Sequence, residues 1–173
     1  AVEEWPIVQP AAIVKEPVGP GTPSTEQVTA AVLAGMGPLR DAVDEMSAAG
    51  AIPVSVGGDH SVTLPILRSL ARRHGRLGIV HFDAHPDTWD EYFGSKFFHG
   101  TPFRRAVEEG LVDPTRMIQV GIRGPLYGPE DFAFHDQHGI EVIRIEAVKE
   151  QGVAWAAGRF GRLRGGPVYC SFD

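Results

Sequence analysis

The sequence predicts an α/β protein built on a mainly parallel sheet with helices on both faces, and three observations predict it. Short, continuously apolar runs rich in β-branched residues recur along the chain, over 52–56, 77–82, 117–122, 140–145 and 168–172. Segments with apolar residues at helical spacing separate most of them. Strands that read as unbroken apolar runs, rather than as alternating ones, are strands covered on both faces.

Taken in order, the elements begin with residues 1–23, where Pro6, Pro10, Pro17, Pro20 and Pro23 predict an extended leading segment. Ser24 with Gln27 three residues on reads as a capping box, and Val28, Val32, Leu39, Val43 and Met46 continue one helical face. The Gly35-Met36-Gly37-Pro38 stretch is expected to kink or split this helix, and Gly50 to end it. Ile52 to Val56 followed by Gly57-Gly58 reads as a buried strand leaving into a tight turn. Helical spacing returns over 61–74 through Leu64, Leu67 and Leu70, and Leu77 to Phe82 is the next strand. Thr101-Pro102 through Gly110 has the cap, first-turn proline and terminal glycine of a short helix. Strands over 117–122 and 140–145, a helical stretch within 146–160 and a last strand over 168–172 complete the pattern. No internal repeat or low-complexity tract interrupts it, and the chain reads as a single domain over 1–173.

Composition narrows the function. The 173 residues are 43% hydrophobic and 22% charged, enough for one domain with its own core. Gly 21 and Pro 14 make about a fifth of the chain, below the roughly 25–30% of low-complexity sequences. Sixteen basic against 22 acidic residues give a net charge of -6, which argues against a nucleic-acid or anionic-membrane partner and agrees with a cationic substrate. The single Cys170 makes neither an internal disulfide nor a thiolate metal cage, and a reducing cytoplasm fits it. No run approaches the ~18–20 apolar residues of a membrane span, and no export signal is visible.

In open parallel sheets ligands bind beyond the carboxyl ends of the strands. There the chain places Gly57-Gly58-Asp59-His60, then Asp83-Ala84-His85-Pro86-Asp87, and finally Asp173. In extended backbone Asp83, His85 and Asp87 point the same way and can serve two adjacent cations. Imidazole and carboxylate without thiolate suit Mn(II), Co(II), Zn(II), Ni(II) or Fe(II), and the chemistry such ions favour is metal-assisted hydrolysis. A lone Asp after a strand is usually a helix cap. Asp59 in particular reads as a cap for the turn near Ser61 or as a support for His60, and stays outside the metal set. His99, just before a helix, is a candidate proton shuttle to a leaving amine. His74 reads as a helix-end surface residue. His81 is assigned to core packing, pointing away from the neighbours of His85, and His135 and His138 to a polar loop without function. Trp89, Tyr92, Phe93, Phe97 and Phe98 are core by default and jointly fit the wall of a pocket for an alkyl chain.

Four ordered motifs, Ser55-Val56-Gly57-Gly58-Asp59-His60-Ser61, Asp83-Ala84-His85-Pro86-Asp87-Thr88, His99-Gly100-Thr101-Pro102-Phe103 and Ser171-Phe172-Asp173, resemble the successive signatures of the ureohydrolase (arginase/agmatinase) family. The resemblance covers roughly residues 50–173. It implies a three-layer α/β sandwich, a centre of two manganese ions, and hydrolysis of a guanidino compound to urea and an amine by a metal-bridging hydroxide. Carried onto this sequence, it implies that His60 and Asp87 hold one ion, His85 the other, that Asp83 and Asp173 bridge, and that His99 transfers a proton. Arginases place an Asn where this chain has Phe97, so the resemblance favours agmatine, with guanidino acids such as guanidinobutyrate as the alternative. It also implies a homo-oligomer, trimer or hexamer. A single-zinc deacetylase shares the fold class, and His60 together with Asp83 and Asp87 speaks for two metals instead. The family's last motif continues past the Asp that matches Asp173 to a second ligand Asp, and a later Glu receives the guanidinium. The expectation is therefore an incomplete domain lacking its C-terminal part, inactive alone, with its last strand as an open edge; an inactive metal-binding fragment is the non-enzymatic alternative.

Overall fold

The capping box expected at Ser24 is formed. In the computed structural model, which describes residues 24–91, 94–124 and 132–173, the Gln27 N–H donates to Ser24 Oγ at 3.3 Å and the Ser24 N–H to Gln27 Oε1 at 2.7 Å. The leading segment, Tyr92 and Phe93 lie outside the described residues. From this cap helix α1 runs unbroken over Thr25–Ala48, passing through Pro38 where a kink or split is expected. Pro38 and Ala34 both lie on the exposed face. The carbonyl that loses its amide partner is therefore hydrated, and the penalty stays small enough for the buried Met36 and Val43 to hold the helix together.

The remaining elements are α2 (Thr63–His74), β1 (Leu77–Phe82), α3 (Pro102–Glu108), β2 (Val112–Ile122), α4 (Ala133–His138), β3 (Glu141–Arg144), α5 (Ile145–Gln151), α6 (Val153–Gly158) and β4 (Val168–Phe172). The four strands form one sheet in the order β3-β2-β1-β4, every pair parallel. Its two faces carry separate clusters. Leu77, Ile79, Val112 and Met117 pack with Met36, Leu64, Leu67, Phe103 and Phe134 from α1 to α4. Val80, Ile118, Val120 and Ile143 pack with Ala147, Val148, Ala156 and Leu163 on the other side. Helices on both faces of a parallel sheet make three layers, the expected fold class. Each fully buried residue of the Leu67 kind contributes about 1.5–3 kcal/mol by leaving water.

Further boundaries and assignments differ from expectation. Residues 52–56 are not a strand: Ile52, Val54 and Val56 are 84%, 81% and 92% exposed, and no described strand pairs with them. An apolar run without a hydrogen-bonded neighbour has no ladder to join. β2 begins at Val112 rather than Met117, because Leu77 pairs with Val112 and Ile79 with Met117, so the residues between bulge out of the ladder and accommodate Pro114. Thr101 does not cap α3; its hydroxyl donates to the carbonyls of Lys96 and Phe98 and accepts from the Phe98 N–H, which ties the preceding loop instead. His135 and His138 sit on helix α4, and His135 is buried. β4 is the edge of the described sheet, with Val168 and Phe172 exposed. Among the described residues no helix is long and apolar enough to cross a membrane.

Candidate metal centre

The carboxyl ends of β1 and β4 converge on the loop that follows β1. The ladder continues past both strands: the Asp83 N–H donates to the Val120 carbonyl at 3.1 Å and the Asp173 N–H to the Phe82 carbonyl at 2.9 Å. This sets Asp83 and Asp173 side by side on the rim. The backbone then bends, and Asp87 takes a left-handed conformation, φ 50°, that non-glycine residues seldom adopt. Its carbonyl accepts from the Phe103 N–H at 3.1 Å at the start of α3, an anchor that holds the strained residue in place. The bend, not extended alternation, thus brings the carboxylates of Asp83 and Asp87 together, while His85 is left exposed at the mouth.

His60 arrives from the other side on a single 3-10 turn, His60–Val62, which Asp59 caps through its Oδ1 and the Ser61 N–H at 2.8 Å. Of the two readings of Asp59, capping is the one the geometry realises. His60 Nδ1 lies 2.5 Å from Asp87 Oδ2, 3.6 Å from Asp83 Oδ2 and 3.7 Å from Asp173 Oδ2, and Nε2 lies 2.7 Å from Ser171 Oγ. Burial works against charge on this ring, but the Asp87 hydrogen bond and the charges of Asp87, Asp83 and Asp173 outweigh it and raise its pKa above the ordinary histidine value. Asp83 is likewise pushed up by burial but held below the ordinary carboxylate value by hydrogen bonds from His81 and the His85 N–H.

One ligand atom each from His60, His81, Asp83 and Asp87 lies within 4.8 Å of all the others. Imidazole and carboxylate groups gathered this closely, nearly buried and without thiolate, are the donor types that suit a divalent cation of the manganese-to-zinc range. Of the expected set, His60, Asp83 and Asp87 thus meet. His85 stands beside them, its Nδ1 3.6 Å from Asp83 Oδ1, and Asp173 closes the open side with 64% of its side chain exposed. His99 is 3.8 Å from Asp59 rather than among the cluster.

His81 corrects the sequence reading. It is fully buried and packs against Phe103, ring centroids 4.4 Å apart, as a core residue does. Yet its Nε2 lies 2.8 Å from Asp83 Oδ2, so it faces the site instead of pointing away from it. The signal was present: His81 and Asp83 are two apart, and residues two apart on a strand share a face. Ser171, which engages His60, shares the last motif with Asp173 and carries no separate signal. A cleft opens onto His60 between residues 55–63 and 169–173, and none of Trp89, Phe97 and Phe98 lines it.

Three comparisons place this geometry among known proteins. The family model described as the arginase family matches residues 17–173. A guanidinopropionase from Pseudomonas aeruginosa is 56% identical over 131 residues, 75% of this chain and 41% of the relative. A mitochondrial agmatinase from Gallus gallus is 43% identical over 136 residues, 78% of this chain and 40% of the relative. The solved structure of proclavaminate amidino hydrolase from Streptomyces clavuligerus superposes with a TM-score of 0.73 at 35% identity, covering 82% of this chain and 47% of that one. The chain therefore spans about two fifths of the length of the curated relatives it matches.

Proposed function

The chain belongs to the arginase family, and from that premise we propose that it carries most of the metal centre of a hydrolase that cleaves a small guanidino compound into urea and an amine. The observation that carries this reading is the convergence of His60, Asp83 and Asp87, with His85 and Asp173 beside them, at the rim where α/β folds bind ligands. In this reading the centre would take two manganese ions, with His60 and Asp87 available to one, His85 to the other, and Asp83 and Asp173 shared between them. When bound, such ions supply Lewis acidity and lower the pKa of water toward ~7. His99 delivers a proton to the leaving amine, with Asp59, 3.8 Å away, to orient and balance it.

Among guanidino compounds the reading puts guanidinopropionate ahead of agmatine. The relative named guanidinopropionase is 56% identical and the one named agmatinase 43%. Phe97, on which the expectation of agmatine rests, packs against the core with the Arg68 guanidinium 5.9 Å from its ring centre, away from the cleft at His60. A reducing cytoplasm is supported by the lone, exposed Cys170, and a homo-oligomer rests on the family alone.

The test is elemental analysis after manganese loading, together with urea release from guanidinopropionate, guanidinobutyrate and agmatine, for the chain and for a longer protein containing it. Bound manganese, with urea formed fastest from guanidinopropionate by the longer protein, is the expected result. No manganese on either form would overturn the assignment of the centre, and faster urea release from agmatine would reverse the substrate order.

A further inference from the structure

Beneath the cluster a row of buried side chains connects Asp83 to helix α4, and one fixed acceptor orders every proton in it. Gln119 of β2 is fully buried, and its Nε2 lies 2.6 Å from the carbonyl oxygen of Pro86, in the middle of the 83–87 bend. A carbonyl only accepts, so the amide nitrogen must be the end that faces it. The other amide hydrogen then points at His81 Nδ1, 3.0 Å away, and that ring nitrogen must accept. The His81 proton therefore sits on Nε2 and is donated to Asp83 Oδ2 at 2.8 Å. On the far side, the Gln119 Oε1 accepts from His135 Nε2 at 2.9 Å, with the Thr88 hydroxyl sharing that N–H at 3.3 Å. Gln119, His81 and His135 are each at most 1% exposed, so no water competes for these bonds.

We propose that Gln119 is the positioning residue of the metal centre: it locks His81 in the Nε2–H tautomer that orients the Asp83 carboxylate, and it clamps the bend through Pro86. His81 is then not a ligand, although it lies within ligand distance of the others, because the Gln119 N–H occupies the lone pair of its Nδ1 and its Nε2 carries the proton given to Asp83; no fixed donor orders the His60 ring in this way. The bend needs such a clamp, since Asp87 is held in the left-handed region one residue beyond Pro86. This rests on the reading of the cluster as a metal site, and outer partners of that kind change metal affinity by about 10–100-fold.

The test is the Gln119→Glu variant, which keeps the shape and removes both N–H donors. Two readouts are taken on the full chain: the His81 tautomer from long-range proton–nitrogen NMR, and manganese affinity from titration. The unsubstituted chain should show protonated Nε2 and unprotonated Nδ1 at His81. Gln119→Glu should move a proton to Nδ1, facing the new carboxylate, and weaken manganese about 10–100-fold. If circular dichroism shows that this variant does not fold, Gln119→Met carries the affinity measurement, with the same expected loss. A proton on Nδ1 in the unsubstituted chain overturns the proposal, as does manganese affinity within threefold of the unsubstituted chain in the folded variant. Failure of the unsubstituted chain to bind manganese overturns the metal reading itself, and the positioning role with it, a pattern distinct from the other two.

Discussion

Gly124 and His85 stand so close that no side chain fits between them: a Cβ on Gly124 would lie 2.7 Å from His85 Nε2 and 3.1 Å from the Ala84 carbonyl oxygen. The Gly124 and Arg123 N–H groups both donate to that carbonyl, at 2.7 and 2.8 Å. The end of β2 is thus a seat for the bend that carries the candidate ligands, and His85 rests on it directly.

Gly124→Ala is expected to push the His85 ring aside while leaving His60 and Asp87 in place, because they are held by each other, by Ser171 and by the Phe103 N–H, whereas the atoms nearest a Cβ at Gly124 belong to His85 and Ala84. Manganese titration should show the ion assigned to His85 weakened by at least tenfold and the ion assigned to His60 and Asp87 little changed. Loss of both ions to the same extent, or of neither, would contradict this division of the site.

How much of this was legible in the sequence follows from the range of the interactions. β1 and β4 fall on the expected residues, because each is a bounded apolar run whose burial is decided locally. The run at Ile52 to Val56 has the same local pattern and is exposed, since pairing depends on a neighbour that the pattern does not contain. The Asp83 and Asp87 motif is visible as residue types, but the positive φ at Asp87 that makes the two converge is held by an N–H from Phe103, sixteen positions on. Gln119 and His135 had no signal of their own: the partners of Gln119, His81 and Pro86, lie more than thirty positions before it and are brought to it by the parallel register of β1 and β2, and His135 joins only through Gln119 and Thr88.

Phe103→Ala should destabilise the chain by about 3–5 kcal/mol, the usual cost of emptying a fully buried aromatic site. The ring lies 4.4 Å from His81 and 5.5 Å from His60, centroid to centroid, so the cavity opens directly under the cluster. Denaturant unfolding gives the stability. Manganese titration should show a parallel loss of affinity, which Leu67→Ala, a cavity in the same core made by a side chain with no ring against His60 or His81, should not.

The pH dependence should reveal the ion pair that secures the loop after the cluster. Asp90 is held below the ordinary Asp pKa by the hydrogen bond from Arg105, whose guanidinium is buried, and by the nearby charges of Arg104 and Lys96. A depressed folded-state pKa contributes stability that is fully present above the unfolded value of about 3.9 and is lost as pH falls through the lower folded value. The melting temperatures of the unsubstituted chain and Asp90→Asn should therefore differ by a constant amount above pH 5 and approach each other below about pH 4. Half of the Asp90 side chain is exposed, so salt should shrink the difference. A gap that widens on acidification would refute the assignment.

Gly100→Ala separates proton transfer from metal binding. A Cβ at Gly100 would lie 2.6 Å from Trp89 Cε3 and 2.9 Å from Cζ3, and the same two residues are joined by the Trp89 N–H donating to the Gly100 carbonyl at 3.1 Å. Neither partner can yield easily. The indole is half-buried, and the loop before Gly100 is tied by the Thr101 hydroxyl to the carbonyls of Lys96 and Phe98, both at 2.9 Å. Overpacking of this kind costs about 1–3 kcal/mol and is relieved by a shift of backbone. The residue next to that shift is His99, whose ring packs at a tilt against Phe98, centroids 4.5 Å apart, and lies 3.8 Å from Asp59. None of the candidate ligands lies on this loop, so manganese affinity should stay within about twofold. In a longer protein that releases urea, kcat should fall by about 10²-fold, the lower end of what a positioned proton donor contributes. His99→Ala should lower it no further in the Gly100→Ala background than alone, because both changes remove the same proton transfer. Full activity in Gly100→Ala, or additive losses in the double variant, would take His99 out of the reaction.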